Sequence, residues 1–280
     1  MEIQKFTILG ERCSGTNFLE KVMETNFKLN ITWEYGWKHF FGTNNFNNSD
    51  NCLFIGIVRD PLTWYKSLYK APHHLPKSMR GNLENFFNAE CYSLHDPETP
   101  GIGNENLEDR NMLTGDRYKN IFELRKTKLN YLVNVVHKKV KNYILIRYED
   151  LCNDYEETIN KIRMRFNLEK NSSYNTKIPK EKPSYKTVVE NTHILYNKNF
   201  NLDSEVQVGY LLTYKLLMNL RANIYNKKST KYYGNKFVEI LERKNLKSSC
   251  TIMRITSILH EGRYYLSKNI YGNNICIPRQ

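Results

Sequence analysis

The chain has 280 residues, 40% of them hydrophobic and 13% aromatic, with a formal net charge of +13. That length admits one large α/β domain, or one domain with a helical appendage, and the apolar content excludes global disorder. The charge favours an anionic partner (a nucleotide, an acidic glycan, nucleic acid or a membrane surface) without choosing among them.

In chain order, Phe6–Leu9 is an apolar run that predicts a short buried strand, and Thr16–Thr25 carries Phe18, Leu19, Val22 and Met23 at helical period. Ile31–Phe41 alternates Trp33, Tyr35 and Trp37, which predicts a second strand ending at Lys38-His39. Thr43–Asn51 is polar and reads as a loop. Cys52–Val58 is continuously apolar, the pattern of a strand buried on both faces of a parallel sheet. Asp60-Pro61 then predicts a capped helix through Tyr69. Ala71–Arg110 holds most of the proline and glycine signals, with one short helix near Leu83–Phe87, and such an excursion suits a substrate loop. Tyr118–Val140 predicts one long basic amphipathic helix or a pair. Tyr143–Tyr148 predicts a further buried strand, followed by a helix from about Tyr155 to Phe166. Asn171–Lys186 reads as a basic loop, Glu205–Tyr225 as a helix, and Phe237–Lys244 and Ile252–His260 as two more.

Strands alternating with helices imply an α/β fold with a parallel sheet flanked by helices, and residues 1–225 are expected to form that domain, with 226–280 a basic, mostly helical extension. No stretch reaches the roughly 18 apolar residues of a membrane span. Met1–Lys5 runs directly into the first strand and leaves no room for a signal peptide, so a soluble, cytoplasmic or otherwise intracellular protein is expected. The six cysteines (Cys13, Cys52, Cys91, Cys152, Cys250 and Cys276) have no C-x-x-C pair, which favours free thiols and argues against zinc.

The first strand leads into Gly10-Glu11-Arg12-Cys13-Ser14-Gly15-Thr16-Asn17. Gly10 and Gly15 keep the G-x-x-x-x-G spacing of a nucleotide P-loop, in which backbone N–H groups and a helix N-terminus converge on an anion. The lysine of such a loop is replaced by Thr16 and the Mg²⁺-binding hydroxyl by Asn17. A phosphate-shaped loop without its metal ligand asks for a different ligand.

This loop resembles the 5′-phosphosulfate-binding loop of sulfotransferases that use 3′-phosphoadenosine 5′-phosphosulfate (PAPS). A second resemblance is Arg59 at a strand end with Ser67 eight residues later, the pair that holds the donor's 3′-phosphate in that family. Ile146–Leu151 and Lys38-His39 are softer matches, the latter where several members carry their base. The likeness runs from about Lys5 to Tyr225 and implies a P-loop-like sulfotransferase fold with PAPS as co-substrate and no metal. It implies donor binding by Arg12, Cys13, Ser14, Gly15, Thr16, Asn17, Arg59 and Ser67, and catalysis by His39, Arg12 and Lys38. A sulfuryl group carries less charge than a phosphoryl group, so the Mg²⁺ that kinases need is dispensable. Arg12 is then expected at the bridging oxygen, and His39 is expected to take the acceptor's proton.

Rival readings stand beside these. Glu34 or Glu84 is an alternative base, His73 or His74 an acceptor-site residue, and Lys180, Lys182 and Lys186 a basic lid. Arg59 has Asp60 or Glu149 as possible ion-pair partners, and Glu149-Asp150 reads as a helix cap and a sheet-edge ion pair. A degenerate P-loop kinase or NTPase lacks its lysine, metal ligand and Walker B aspartate here. A non-catalytic basic protein binding nucleic acid or glycan, with Tyr232-Tyr233 and Tyr264-Tyr265 in its tail, leaves the Arg59–Ser67 spacing unexplained. Glycan, protein tyrosine, lipid and small phenol all remain open as acceptors.

Overall fold

The structure is a computed structural model that describes residues 2–42, 44–95, 104–177 and 200–210. Residues 1–201 group as one compact unit, separate from residues 202–280. The first unit is built on a four-stranded, all-parallel sheet in the order β2-β1-β3-β4, with β1 Lys5–Leu9, β2 Asn30–Ile31, β3 Cys52–Val58 and β4 Tyr143–Arg147. The register aligns Leu9 with Gly56 and Val58 with Arg147, so β1, β3 and β4 end together.

Every residue of β3 is buried, as a central parallel strand requires. One face of the sheet (Phe6, Ile8, Leu53, Ile55, Ile57, Ile144 and Ile146) packs on helix α1, Thr16–Asn26, and on α6, Tyr148–Asn153, and α7, Tyr155–Phe166. From α1 it receives Leu19, Val22 and Met23, the residues at helical period. A second core joins helices α2, Pro61–Lys70, α3, Leu83–Asn88, and α4, Ile121–Asn134, through Trp64, Tyr65, Phe86, Phe87 and Phe122. A short α5, Val136–Lys139, follows α4, so the expected helix over 118–140 is a pair.

Local chemistry sets the helix starts. Asp60 accepts the Thr63 N–H at 3.1 Å with Pro61 in the first turn of α2, and Asn120 accepts from Phe122 and Glu123 at the start of α4. Asn167 ends α7 in the left-handed conformation.

Two expectations change. The strand expected over 31–41 stops at Ile31, because Gly36 takes φ 97° and two successive turns (Gly36 N–H to Trp33 C=O, Phe40 N–H to Trp37 C=O, both 3.0 Å) fold the segment back. Trp33 and Trp37 therefore sit together, ring centroids 4.8 Å apart, instead of spacing along a strand. The helix expected from Glu205 begins at Leu202 as α8, Leu202–Gln207, and turns at Val208 and Gly209. The boundary at 225–226, the lysines at 180, 182 and 186, the two later helices and the tyrosine pairs lie outside the described residues. Among the described residues no helix is long and apolar enough to cross a membrane.

Gly15 stands at φ 93°, and a Cβ there would lie 2.3 Å from the Tyr148 ring; Gly81 has the same φ with nothing within 4 Å. Both glycine-to-alanine changes incur the left-handed cost of about 1–2 kcal/mol. Gly15→Ala is expected to lose about 1–3 kcal/mol more than Gly81→Ala in urea denaturation, because the methyl has no room.

Candidate functional site

In this sheet the chain leaves β1 toward β2 on one side and returns to β3 on the other. The carboxyl ends of β1 and β3 thus flank a topological switch point, where parallel α/β sheets place their ligands. The segments that emerge there are Gly10–Gly15 after β1, Arg59-Asp60 after β3 and Tyr148 after β4.

The loop is held from several sides. Gly10 N–H donates to the Lys38 carbonyl at 2.9 Å, and a Cβ on Gly10 would strike Ile57, so the loop starts in contact with β3. Cys13 at φ 62° and Gly15 at φ 93° turn the chain into α1. Trp64, fully buried, donates from Nε1 to the Arg12 carbonyl at 2.7 Å. The N-terminus of α1 has no side-chain cap, which leaves its first N–H groups for an anion. Ser14 and Thr16 are buried, and Asn17 is exposed at the rim.

Arg59 and Ser67 converge on this loop. The Arg59 guanidinium donates from Nη1 to the Cys13 carbonyl at 3.0 Å and from Nε to Thr63 Oγ1 at 3.3 Å, and it lies 4.7 Å over the Tyr148 ring. The Cys13 thiol, which faces Ser67, donates to the Ala71 carbonyl at 3.8 Å, and burial pushes it up from its ordinary pKa. Among the described residues Arg59 forms no ion pair. The two acids considered as its partners are engaged elsewhere: Glu149 accepts the Asp60 N–H at 3.0 Å, and the Asp60 carboxylate accepts the Thr63 N–H at 3.1 Å at the start of α2; Asp150 pairs with Arg147 at 2.5 Å. A half-buried cation with only neutral partners, beside an uncapped helix N-terminus, is a place where negative charge is welcome.

Arg12 does not stand where it was expected. Its side chain is 2% exposed and turned inward: Nε donates to Glu11 Oε1 at 2.8 Å, Nη1 to Ser93 Oγ at 2.6 Å and to the His73 carbonyl, and Nη2 to Asp109 at 3.3 Å. Lys128, equally buried, donates to Glu11 Oε2 at 2.7 Å, to the His39 carbonyl at 2.8 Å and to Asp109 Oδ1. Two cations and two carboxylates thus form a closed, neutral knot beneath the loop. Burial alone would push the Glu11 carboxyl up, but Arg12 and Lys128 outweigh it and hold it far below the carboxylate range. The guanidinium of Arg12 is thus committed to buried partners, whereas the sequence reading expected it at the donor.

The turn that ends the aromatic segment sends Lys38 and His39 different ways. Lys38 Nζ donates to Asn17 Oδ1 at 2.7 Å and Glu20 Oε2 at 2.8 Å, which places its charge at the rim of the loop. His39 Nδ1 lies 2.8 Å from the Gly10 carbonyl. A carbonyl only accepts, so Nδ1 carries the proton and Nε2 presents its lone pair. Burial pushes the imidazole down to about 4, against the opposing pull of the Gly10 carbonyl and Glu11. Of the alternative bases, Glu34 is exposed and paired with Lys5, and Glu84 is exposed in the first turn of α3. His73 is exposed, and His74 packs against Phe40.

Sequence reasoning missed Lys128, Asp109, Ser93 and Trp64. They lie far along the chain in unremarkable local patterns, and only a lysine and an arginine at helical spacing in α4 (Lys128 and Arg125, both buried) hinted that this helix has a polar inner face. The described part of the 71–110 excursion braces the loop from behind through Ser93 and Asp109. A wide depression between Glu24, Lys28, Asn30 and Asn171 lies at the opposite end of α1, away from these groups.

No protein-family model matches the chain, and no curated protein matches it. Among solved structures it is similar to mouse sulfotransferase SULT7A1 complexed with PAP, at 14% identity, with 83% of this chain and 89% of that chain covered and a TM-score of 0.33. At that score the two backbones diverge too far for the likeness to assign a function.

Lys128→Met leaves Glu11 and Asp109 buried without their shared cation and is expected to cost about 3–5 kcal/mol, seen as a lowered thermal midpoint. Adding Asp109→Asn should recover part of that loss. A second expectation concerns pH. His39 folds with a pKa of about 4 against an ordinary 6.5, so between those values the unfolded chain binds the proton that the native state refuses. Stability should therefore fall as pH drops from 6.5 through 4, by an amount of order 1–3 kcal/mol. Urea midpoints measured across that window should show a shallower decline in His39→Asn, whose amide can still donate to Gly10.

Proposed function

We propose that the protein is a sulfotransferase that moves the sulfuryl group of PAPS to a hydroxyl or amine acceptor. The observation that carries this reading is Arg59. It is a cation with no ion-pair partner among the described residues, fixed by Cys13 and Tyr148 at the switch point of a parallel sheet, with Ser67 on the same loop residue. In this reading the N–H groups of Gly15, Thr16 and Asn17 and the α1 dipole take the 5′-phosphosulfate, while the Ser14 N–H stays on the Glu11 carbonyl at 3.1 Å. Arg59 and Ser67 take the 3′-phosphate, the group that separates PAPS from ATP. Gly15 lets the loop lie against Tyr148, and Cys13 contributes its backbone.

Transfer then proceeds in line. The acceptor oxygen or nitrogen attacks sulfur, His39 Nε2 takes its proton, and the bond from sulfur to the bridging oxygen breaks with its electron pair leaving on the nucleotide phosphate. A base of pKa about 4 is weak, and an anionic donor beside it would raise it toward the working pH. Lys38 lies at the loop rim on Asn17, placed to face developing charge if it exchanges Glu20 for the donor. Arg12 serves by holding the loop in shape.

Calorimetric titration with 3′-phosphoadenosine 5′-phosphate in the presence of EDTA tests the reading. Binding at least about tenfold tighter than ATP–Mg²⁺ is expected, lost by about 1.5–3 kcal/mol in Arg59→Ala, as for a hydrogen bond to a charged group. His39→Ala should keep that affinity while kcat for transfer falls by about 10²–10⁴. Preference for ATP–Mg²⁺ would sink the proposal.

A further inference from the structure

The indole of Trp37 is 40% exposed, while Trp64 is fully buried and Trp33 half-buried. A single exposed apolar side chain is ordinary on a protein surface. This one is held rigidly. Its ring lies against Trp33 at an interplanar angle of 43°, and the Lys38 ammonium sits 5.3 Å and 5.1 Å from the centroids of Trp33 and Trp37. Lys38 is in turn fixed by Asn17 and Glu20, so the aromatic pair is tied to the first turns of α1. The His39 imidazole stands 6.3 Å from the Trp37 ring with the two planes at 88°. An open, braced indole thus borders the group proposed as base, on the same turn.

Resting on the sulfotransferase reading, we propose that Trp37 is the acceptor platform and that the acceptor is a neutral sugar, sulfated on a ring hydroxyl. A pyranose has an apolar C–H face, which an exposed indole can cover, and a rim of hydroxyls that needs polar partners. Asn17, exposed, and Glu20, with its side chain 26% exposed, are tied to the pair through Lys38 and supply them. A planar phenol gains most from a closed slot that covers both of its faces, and among the described residues Trp37 has ring neighbours only in Trp33 and His39. An acidic tyrosine peptide asks for uncommitted cations, whereas Lys38 and Lys5 are matched by Glu20 and Glu34. The polar, near-neutral rim fits an uncharged saccharide.

The test uses the full chain and two separate readings. Tryptophan emission and acrylamide quenching are titrated with lactose, N-acetyllactosamine and chitotriose without donor, in the full chain and in Trp33→Phe, since buried Trp64 does not sense the solvent but half-buried Trp33 does. Sugar binding should shift the emission to the blue and protect the exposed indole, and Trp37→Ala should abolish both effects. In transfer assays with PAPS, Trp37→Ala should raise the sugar KM about tenfold or more, Trp37→Phe should recover part of it, and affinity for 3′-phosphoadenosine 5′-phosphate should stay within about twofold. Transfer to p-nitrophenol or a tyrosine peptide but to none of the sugars would overturn the proposal, as would an unchanged sugar KM in Trp37→Ala or no sugar response in either assay. Sugar binding without nucleotide binding would sink the donor reading and leave the platform standing.

Discussion

The candidate site depends on a buried knot of four charges. Arg12 and Lys128 face Glu11 and Asp109, with Ser93 bridging, and none of these side chains is more than about a tenth exposed. Desolvating four ions is costly, and the mutual attraction offsets that only because each finds its partner at hydrogen-bonding distance. The arrangement ties three distant segments together: the loop after β1, the excursion that ends at Asp109, and helix α4. Through the Lys128 bond to its carbonyl, His39 is anchored to the same knot. Removing one charge would leave the others buried and unmatched, so the loop, the helix and the histidine hold or fail together.

Above the knot, the loop is shaped by contacts that leave the N-terminus of α1 without a side-chain cap. Tyr148 forms the floor: Gly15 lies on its ring, Phe18 meets its edge and Arg59 lies over its face. Arg59 is therefore oriented by an aromatic ring and a carbonyl and not by a carboxylate. That keeps its charge available, whereas the charge of Arg12 is consumed within the protein. Two arginines that look equally suited to a phosphate in the sequence are thus divided by burial: Arg12 is matched by buried carboxylates, and Arg59 keeps its charge beside neutral partners.

Much of this was legible in the sequence. The apolar run Cys52–Val58, the Asp60-Pro61 cap and the glycine spacing of residues 10 and 15 each report a local constraint, and each local constraint is met where it was read. The strand expected through Trp33, Tyr35 and Trp37 is absent because alternation describes which side chains are apolar, not whether the backbone can stay extended. Gly36 at positive φ turns the chain first. Arg12 turns inward for a related reason: charge and spacing mark a candidate ligand, and only its three-dimensional neighbours, Glu11 and Asp109, show that the charge is already matched.

What the sequence determined by itself is the α/β alternation, the loop at the end of β1 and the candidates Arg59, Ser67 and His39, because each rests on residues close together in the chain. Only the tertiary structure decided that the switch point falls between β1 and β3, that Lys128 and Asp109 close over Arg12, and that His39 presents Nε2. Those outcomes depend on side chains as much as 117 positions apart, as Glu11 and Lys128 are, meeting in a space from which water is excluded. There the unmatched charge, not the local pattern, fixes which way each side chain turns.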